Sequence, residues 1–188
     1  MQRERIGRIF QLNLSKGGVP KMPVEEAEAT ANGLVGDIQA HPKIHGGPDR
    51  ALCLFSLERI EELQREGHPV VPGSVGENIT LQGLEWSELM PGVRLALGDE
   101  VVVEISSYTS PCNSIAASFI KGNFSRIAQK KYPGQSRLYA RVLRTGRLRT
   151  GQTVRVLPAA QGAGQPAGIF KGLSGKLSRL LGLLYIVT

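Results

Sequence analysis

The sequence predicts a mainly β fold, a single β-barrel with a few short helices, on three observations. Apolar and polar residues alternate over short segments, as Val101, Val103 and Ile105 do. The chain contains 23 Gly and 11 Pro residues, many of which separate these segments. Hydrophobic residues make up 41% of the 188 positions, enough to close one core. Many short strands joined by frequent turns favour a barrel or a folded-over sheet.

The first half of the chain begins with strand signals. A strand is predicted over residues 6–14, and a second, shorter one near Val24–Thr30. One face of the first strand carries Phe10, Leu12 and Leu14. Gly and Pro residues between positions 33 and 48 indicate a long loop. The compact apolar run Ala51–Phe55 then predicts a buried strand.

One helix is predicted directly after that strand. Ser56 is a suitable N-cap, and Leu57, Ile60 and Leu63 follow at helical spacing. Gly67 can end the helix, because glycine adopts the backbone conformation found just past a helix terminus.

The second half returns to strands. Short strands are predicted over residues 78–81, 94–97 and 101–106, the last two joined by a tight turn at Gly98-Asp99. A short helix near Phe124–Ala128 is followed by closing strands. These closing strands cover residues 139–144 and 153–157.

The composition changes after Pro158, which divides the chain into a body, 1–158, and a tail, 159–188. Residues 159–168 are only Ala, Gly, Gln and Pro, as in a linker. Residues 169–188 are Leu-rich and basic, which would suit a short amphipathic helix. We expect the tail to dock on the body or to stay disordered rather than to contact a membrane.

Charge and cysteine content limit the classes of function. The net charge of +7 suits an anionic small ligand such as a phosphate. No basic stripe with interleaved aromatic residues indicates nucleic acid binding. Two cysteines, no signal peptide and no membrane span predict a cytoplasmic protein with free thiols. The oligomeric state is left open.

Cys112 is the first candidate for chemistry, as catalytic residue and metal ligand. It lies just past a predicted strand, among the hydroxyl residues of Ser106–Ser114. Hydrogen-bond donors, or a helix beginning near 113–115, would favour the thiolate, which binds soft metals or carries sulfur. An inert buried thiol is the equal alternative. Cys53, between Leu52 and Leu54, is interpreted as a core residue.

The segment His45-Gly46-Gly47-Pro48-Asp49-Arg50 is the second candidate. Two glycines let a backbone approach a ligand and present N–H groups to an anion. His45 could donate a proton, and Arg50 could hold an anion. The alternative is a tight turn with a local Asp49–Arg50 ion pair.

Two further segments carry polar residues that could contact a ligand. Glu77 and Asn78 precede a strand, where they could hold an oxygen- and nitrogen-rich molecule or simply form a turn. Arg137, Tyr139 and Arg141 alternate and so share a face. That face could supply positive potential to a site or could be solvated.

These pieces in this order resemble the MOSC family, named for the C-terminal domain of molybdenum cofactor sulfurases, over about residues 5–157. The matching segments are 33–37, 45–51, 72–78, Gly98-Asp99, Ser110-Pro111-Cys112 and 139–143. The chain departs from many relatives at Tyr108-Thr109-Ser110, at Gln135 and at Gln152, where relatives often carry arginine, tryptophan and aspartate respectively.

The resemblance implies a barrel whose cysteine, matched by Cys112, binds molybdenum of the molybdenum cofactor (molybdopterin). Asn78 and Ser110 fall where relatives place cofactor contacts. Pyridoxal phosphate is not expected on this chain, because nothing in it resembles the additional sulfurase domain. With His45 as a second catalytic residue, the predicted cofactor-binding residues are Gly46, Gly47, Asp49, Arg50, Glu77, Asn78, Ser110 and Arg137.

Three functions follow. The first is a molybdenum-cofactor oxidoreductase that reduces N-hydroxylated small molecules with the help of an electron-donor protein. The second is a sulfur carrier, in which a Cys112 persulfide receives sulfur from a donor protein for metallosulfur centre assembly. The third is a binding module without catalysis.

Overall fold

The computed structural model describes residues 5–38 and 46–158. His45 and the predicted linker and tail, 159–188, lie outside the described residues. Within the described ranges the chain forms eleven strands, one α-helix and five 3₁₀ helices. The strands are β1 (Ile6–Leu14), β2 (Met22–Val24), β3 (Glu26–Thr30), β4 (Gly33–Leu34), β5 (Leu52–Ser56), β6 (Ile79–Gln82), β7 (Arg94–Leu97), β8 (Val101–Tyr108), β9 (Leu138–Arg144), β10 (Gly146–Arg149) and β11 (Thr153–Val156).

Seven of these strands close into a barrel, which confirms the predicted fold class. The sheet runs β11-β7-β8-β9-β5-β6-β1-β2, and β11 also pairs with β1, so that only β2 lies outside the ring. A separate three-stranded sheet runs β10-β3-β4. Closure removes the unpaired edges that an open sheet would expose.

The helix α1 (Leu57–Arg65) connects β5 to β6, and these two strands pair in parallel. A parallel pair needs such a crossover, because the chain must return to the same end of the sheet. Ser56 caps the helix as predicted, its side chain accepting a hydrogen bond from the Arg59 amide at 3.3 Å. Leu57, Ile60 and Leu63 are buried as their spacing indicated.

Four of the 3₁₀ helices follow β6: Trp86–Glu88, Asn113–Ser118, Ile120–Gly122 and Phe124–Ile127. The last replaces the short helix that was predicted near Phe124–Ala128. A fifth, Pro48–Arg50, precedes β5. Helices of the length and hydrophobicity needed to cross a bilayer are missing from the described ranges.

The barrel interior confirms one predicted strand face and corrects another. Val101, Val103 and Ile105 of β8 are buried as their alternation predicted. In β1 the predicted face of Phe10, Leu12 and Leu14 is wrong. Ile9 and Leu12 are fully buried, whereas Phe10 and Leu14 are only partly so. The register shifts between Ile9 and Gln11, and such a bulge reverses which side chains point inward.

Candidate functional site

A cavity of about 120 Å³ brings together side chains from distant parts of the sequence. Its apolar wall includes Val19, Ile38, Val75 and Ile115. Its polar and reactive residues are Lys21, Arg50, Cys53, Asn78, Cys112, Arg137 and Tyr139. Of the predicted site residues, Arg50, Asn78, Cys112 and Arg137 therefore share one cavity. A cavity that joins a few polar groups to an apolar wall is typical of a small-molecule site.

Cys112 lies in this cavity because β8 ends at Tyr108 and a 3₁₀ helix begins at Asn113. The turn is held by a hydrogen bond of 3.2 Å from the Ile115 amide to the Cys112 carbonyl oxygen. The sulfur is half-buried and lies 3.0 Å from the Ser114 hydroxyl oxygen. An accessible thiol beside a hydroxyl can bind a soft metal or form a persulfide.

Cys53 lines the same cavity from strand β5, where it pairs across the sheet with Tyr139 of β9. It is 5% exposed, as its apolar neighbours predicted. Burial raises the pKa of the Cys53 thiol to about 11, while the nearby Arg137 acts in the opposite direction. The thiol therefore keeps its proton at neutral pH. Contact with the cavity was not predicted, since the local sequence shows only the apolar neighbours.

The Asn78 side chain is held in the cavity by strand β5 and by the loop residue Asp37. Its amide oxygen accepts a hydrogen bond of 3.1 Å from the Cys53 N–H, and its amide nitrogen donates to Asp37 at 2.8 Å. The same Asp37 oxygen accepts from the Lys21 ammonium group. The second Asp37 oxygen accepts from the Ser15 amide at 2.8 Å. The second N–H of the Asn78 amide group is left for a ligand, because one N–H already donates to Asp37.

Lys21 and Asp37 are functional candidates that sequence reasoning missed. Their ion pair is nearly buried, with side-chain exposures of 8% and 4%. Asp37 belongs to segment 33–37, which resembles the MOSC family, so the sequence did contain a signal for this residue. Lys21 follows the Gly17-Gly18-Val19-Pro20 turn, and nothing local indicates that it points into a cavity.

Arg137 is as deeply buried as Lys21, each at 7% exposure. One of its terminal nitrogens donates to the Val75 carbonyl oxygen. Its buried Nε has no hydrogen-bond partner in the described part of the chain. A buried unpaired N–H of a cation is costly, so an anionic ligand at this point would be stabilising.

Tyr139 follows two residues later and also faces the cavity. The Arg50 guanidinium lies over its ring, 5.6 Å from the ring centre. Burial raises the pKa of the Tyr139 phenol to about 12, and negative charge on Cys53 or Cys112 acts in the same direction. The phenol is therefore a proton donor at every physiological pH.

The other predicted cofactor contacts lie outside the cavity lining. Asp49 is exposed and faces Arg141 at 3.3 Å. Glu77 is fully buried, and its carboxylate accepts hydrogen bonds from the Gly73 amide at 2.7 Å and the Thr80 hydroxyl at 3.1 Å. Burial raises the pKa of Glu77. Asp49 directly precedes Arg50 and Glu77 directly precedes Asn78, so both can help to position residues that do line the cavity.

The remaining predicted contacts are glycines and a serine. Gly46 and Gly47 precede the 3₁₀ helix Pro48–Arg50, and Gly47 has a φ of 96°, which favours glycine. Ser110 is exposed, two residues before Cys112. The described residues contain no cluster of three or more His, Cys, Asp or Glu side chains that could hold a metal ion.

Comparisons with known proteins agree with this architecture. Residues 41–155 match the family model of the MOSC domain. The uncharacterized protein YflK of Bacillus subtilis is 32% identical over 175 residues, which cover 84% of this chain and 76% of YflK. The crystal structure of YiiM from Geobacillus stearothermophilus superposes with a TM-score of 0.65 at 25% identity, covering 84% of this chain and 78% of that one.

A weaker similarity extends to a protein of Gibberella moniliformis named "Reductase". It is 27% identical over 133 residues, which cover 68% of this chain but only 23% of that protein. The match to the family model covers most of the barrel, and the YflK similarity extends over most of both chains. The chain therefore belongs to the MOSC domain family.

Proposed function

We propose that the cavity binds the molybdenum cofactor with Cys112 as the protein ligand of molybdenum, and that the protein reduces N-hydroxylated compounds. One observation carries this proposal: an accessible thiol shares a cavity with three cations and an amide that has an N–H left to donate. A cofactor that joins a soft metal to a phosphate-bearing organic group needs this combination.

The donor groups of the cavity fit an anionic cofactor. Lys21, Arg50 and Arg137 bring positive charge, of which the Lys21 charge is balanced by Asp37. Arg137 adds a buried Nε that has no protein partner in the described ranges. Phosphate oxygens accept several hydrogen bonds at once and would satisfy this N–H together with the remaining N–H of Asn78.

The two thiols of the cavity are unequal as metal ligands. A metal binds the thiolate, so a ligand cysteine must lose its proton. Cys53 is buried, and its pKa of about 11 keeps it protonated. Cys112 is half-buried and has a hydroxyl beside its sulfur. Cys112 is therefore the favoured ligand.

When bound, the cofactor would supply the two-electron chemistry of the reduction. The chain's own residues would bind its charged part and would position the substrate beside Cys112. The apolar wall of Val19, Ile38 and Ile115 would limit the water that surrounds the reacting atoms. The similarity to a protein named "Reductase" supports this class of reaction. Electrons would come from a separate donor protein.

A sulfur carrier is the second candidate, supported by the accessibility of the Cys112 sulfur. In that case Cys112 would hold a persulfide, and the protein would contain cyanide-labile sulfur without molybdenum. A binding module would contain neither. Measuring molybdenum and labile sulfur in one preparation therefore distinguishes the three functions.

The test is a paired analysis of purified protein from cells supplied with molybdate. We expect molybdenum and pterin in equal amounts in the wild type and in Cys53→Ala, and neither in Cys112→Ser. Metal analysis and the fluorescence of the oxidised pterin provide the two readings. Molybdenum and pterin retained in full by Cys112→Ser would contradict the ligand role, and labile sulfur alone would favour the carrier.

A further inference from the structure

We propose that Tyr139 is the general acid of this site, donating the proton that turns the leaving hydroxyl group of an N-hydroxylated substrate into water. This inference rests on the proposed function and adds a catalytic residue to it. The strand register brings Tyr139 opposite Cys53, and its side chain lines the cavity that also contains Cys112.

The reaction requires protons as well as electrons. Reduction of R–NH–OH breaks the N–O bond and consumes two electrons and two protons, giving R–NH₂ and water. The electrons come from the reduced cofactor, which the donor protein recharges. One proton must reach the leaving oxygen as the bond breaks, because hydroxide is a poor leaving group. The other proton reaches the nitrogen from solvent.

Few cavity residues can supply the first proton. The Lys21 ammonium group is held in a nearly buried ion pair with Asp37. Arg50 and Arg137 do not lose their protons in proteins. The thiol of Cys53 is buried at 5% exposure. Tyr139 is only partly buried and lines the cavity, so among the described lining residues it is the better placed donor.

The surroundings of Tyr139 suit this role in both protonation states. A tyrosine phenol, with an ordinary pKa of about 10, is protonated before the reaction. Transfer to a leaving hydroxide is downhill, because water has a pKa of about 15.7. The phenolate that remains is stabilised by the Arg50 guanidinium over its ring, at 5.6 Å, and by the nearby Arg137. Solvent then returns the proton.

Tyr108 offers a matched control on the neighbouring strand. It is also half-buried, but it pairs with Leu138 and lines a different cavity beside Trp86. Side chains alternate along a strand, so Leu138 and Tyr139 face opposite sides of the sheet. Loss of the Tyr108 hydroxyl should therefore leave the reduction unchanged.

The experiment compares two substrates in the molybdenum-loaded protein: benzamidoxime and its O-acetyl ester. Acetate leaves without a proton, so only benzamidoxime needs the acid. We expect Tyr139→Phe to lower kcat for benzamidoxime by about 100-fold or more, and to leave kcat for the ester and the molybdenum content close to wild type. Tyr108→Phe should match the wild type on both substrates.

A second measurement needs no variant. In the wild type, deuterated water should slow benzamidoxime reduction more strongly than ester reduction, because only the former transfers a proton during N–O cleavage. An equal loss on both substrates in Tyr139→Phe, no loss on either, or equal solvent isotope effects would overturn the role of Tyr139. A wild type without molybdenum would instead overturn the proposed function itself.

Discussion

The two cysteines line one cavity, Cys53 from within a strand and Cys112 from a loop. Cys53 belongs to strand β5, has apolar neighbours along the chain, and is 5% exposed. Cys112 lies between a strand end and a 3₁₀ helix, is half-buried, and has a hydroxyl 3.0 Å from its sulfur. The same chemical group is thus a buried, protonated wall residue in one region and an accessible thiol in the other. The difference shows that accessibility and hydrogen bonding, rather than residue type, assign the role.

The largest effect is expected at Cys112. Cys112→Ser keeps the side-chain size but removes the thiolate, so reduction should fall by about 100-fold or more because the metal loses its protein ligand. The melting temperature should stay near wild type, since the side chain is half-buried in a loop. Activity assays and calorimetry give the two readings. A variant that melts early but stays active when folded would reverse the assignment.

A pH titration of stability should detect the buried thiol of Cys53. Its pKa in the folded protein is about 11, against 9.0 for an unperturbed thiol. Between these values the unfolded chain loses a proton that the folded chain keeps. Stability should therefore be complete below pH 9 and fall by about 2–3 kcal/mol as the pH rises through 11.

Denaturant unfolding of the wild type and of Cys53→Ser between pH 8 and pH 11 provides the measurement. Serine does not titrate in this range, so the variant should lose this part of the decline. The pKa of Tyr139 is raised from 10.0 to about 12, so its own loss of stability begins near pH 10. Tyr139 remains in both proteins, so the difference between the two curves reports Cys53. Parallel curves would show that the thiol is not buried in solution.

The same Cys53→Ser change should also lower stability at neutral pH. It places a hydroxyl where a buried thiol lies, which costs about 1–3 kcal/mol if the hydroxyl has no partner. Molybdenum content should stay unchanged. Calorimetry with Ser114→Ala as an exposed control gives the comparison. An unchanged melting temperature would show that the cavity side of Cys53 accepts a polar group.

A smaller effect should distinguish Arg137, which directly precedes strand β9, from Arg141, which lies within it. Arg137 is buried in the cavity, whereas Arg141 is half-exposed and pairs with Asp49. Arg137→Gln should weaken cofactor retention by about 10-fold, because one charge-assisted contact is lost. Arg141→Gln should stay within about twofold, as is typical of exposed ion pairs. Dialysis followed by metal analysis measures both, and equal retention would remove Arg137 from the cofactor site.

The sequence predicted the fold well where local patterns decide it. The alternation in β8 and the cap of α1 were found because each depends on residues a few positions apart. The inward face of β1 was wrong, because its bulge arises from pairing with β6, about seventy residues away. Strand β10 lies between two predicted strands and was not itself predicted, and its partner β3 is again distant in sequence.

The candidate site divides in the same way. Cys112 and Asn78 stood out through their segments, and the cavity contains both. The buried Lys21–Asp37 pair and the cavity side of Cys53 depend on how loops meet after the barrel closes. Arg137 could be interpreted as solvated, because alternation fixes a shared face but does not say what covers that face.

The most direct test of the central claim is X-ray absorption spectroscopy of protein that carries Cys112→selenocysteine. Selenium marks this one position and scatters strongly. We expect a molybdenum–selenium distance of bonding length, seen at both absorption edges, and no such distance when the same change is made at Cys53. Molybdenum bound in full without a selenium neighbour at position 112 would contradict it.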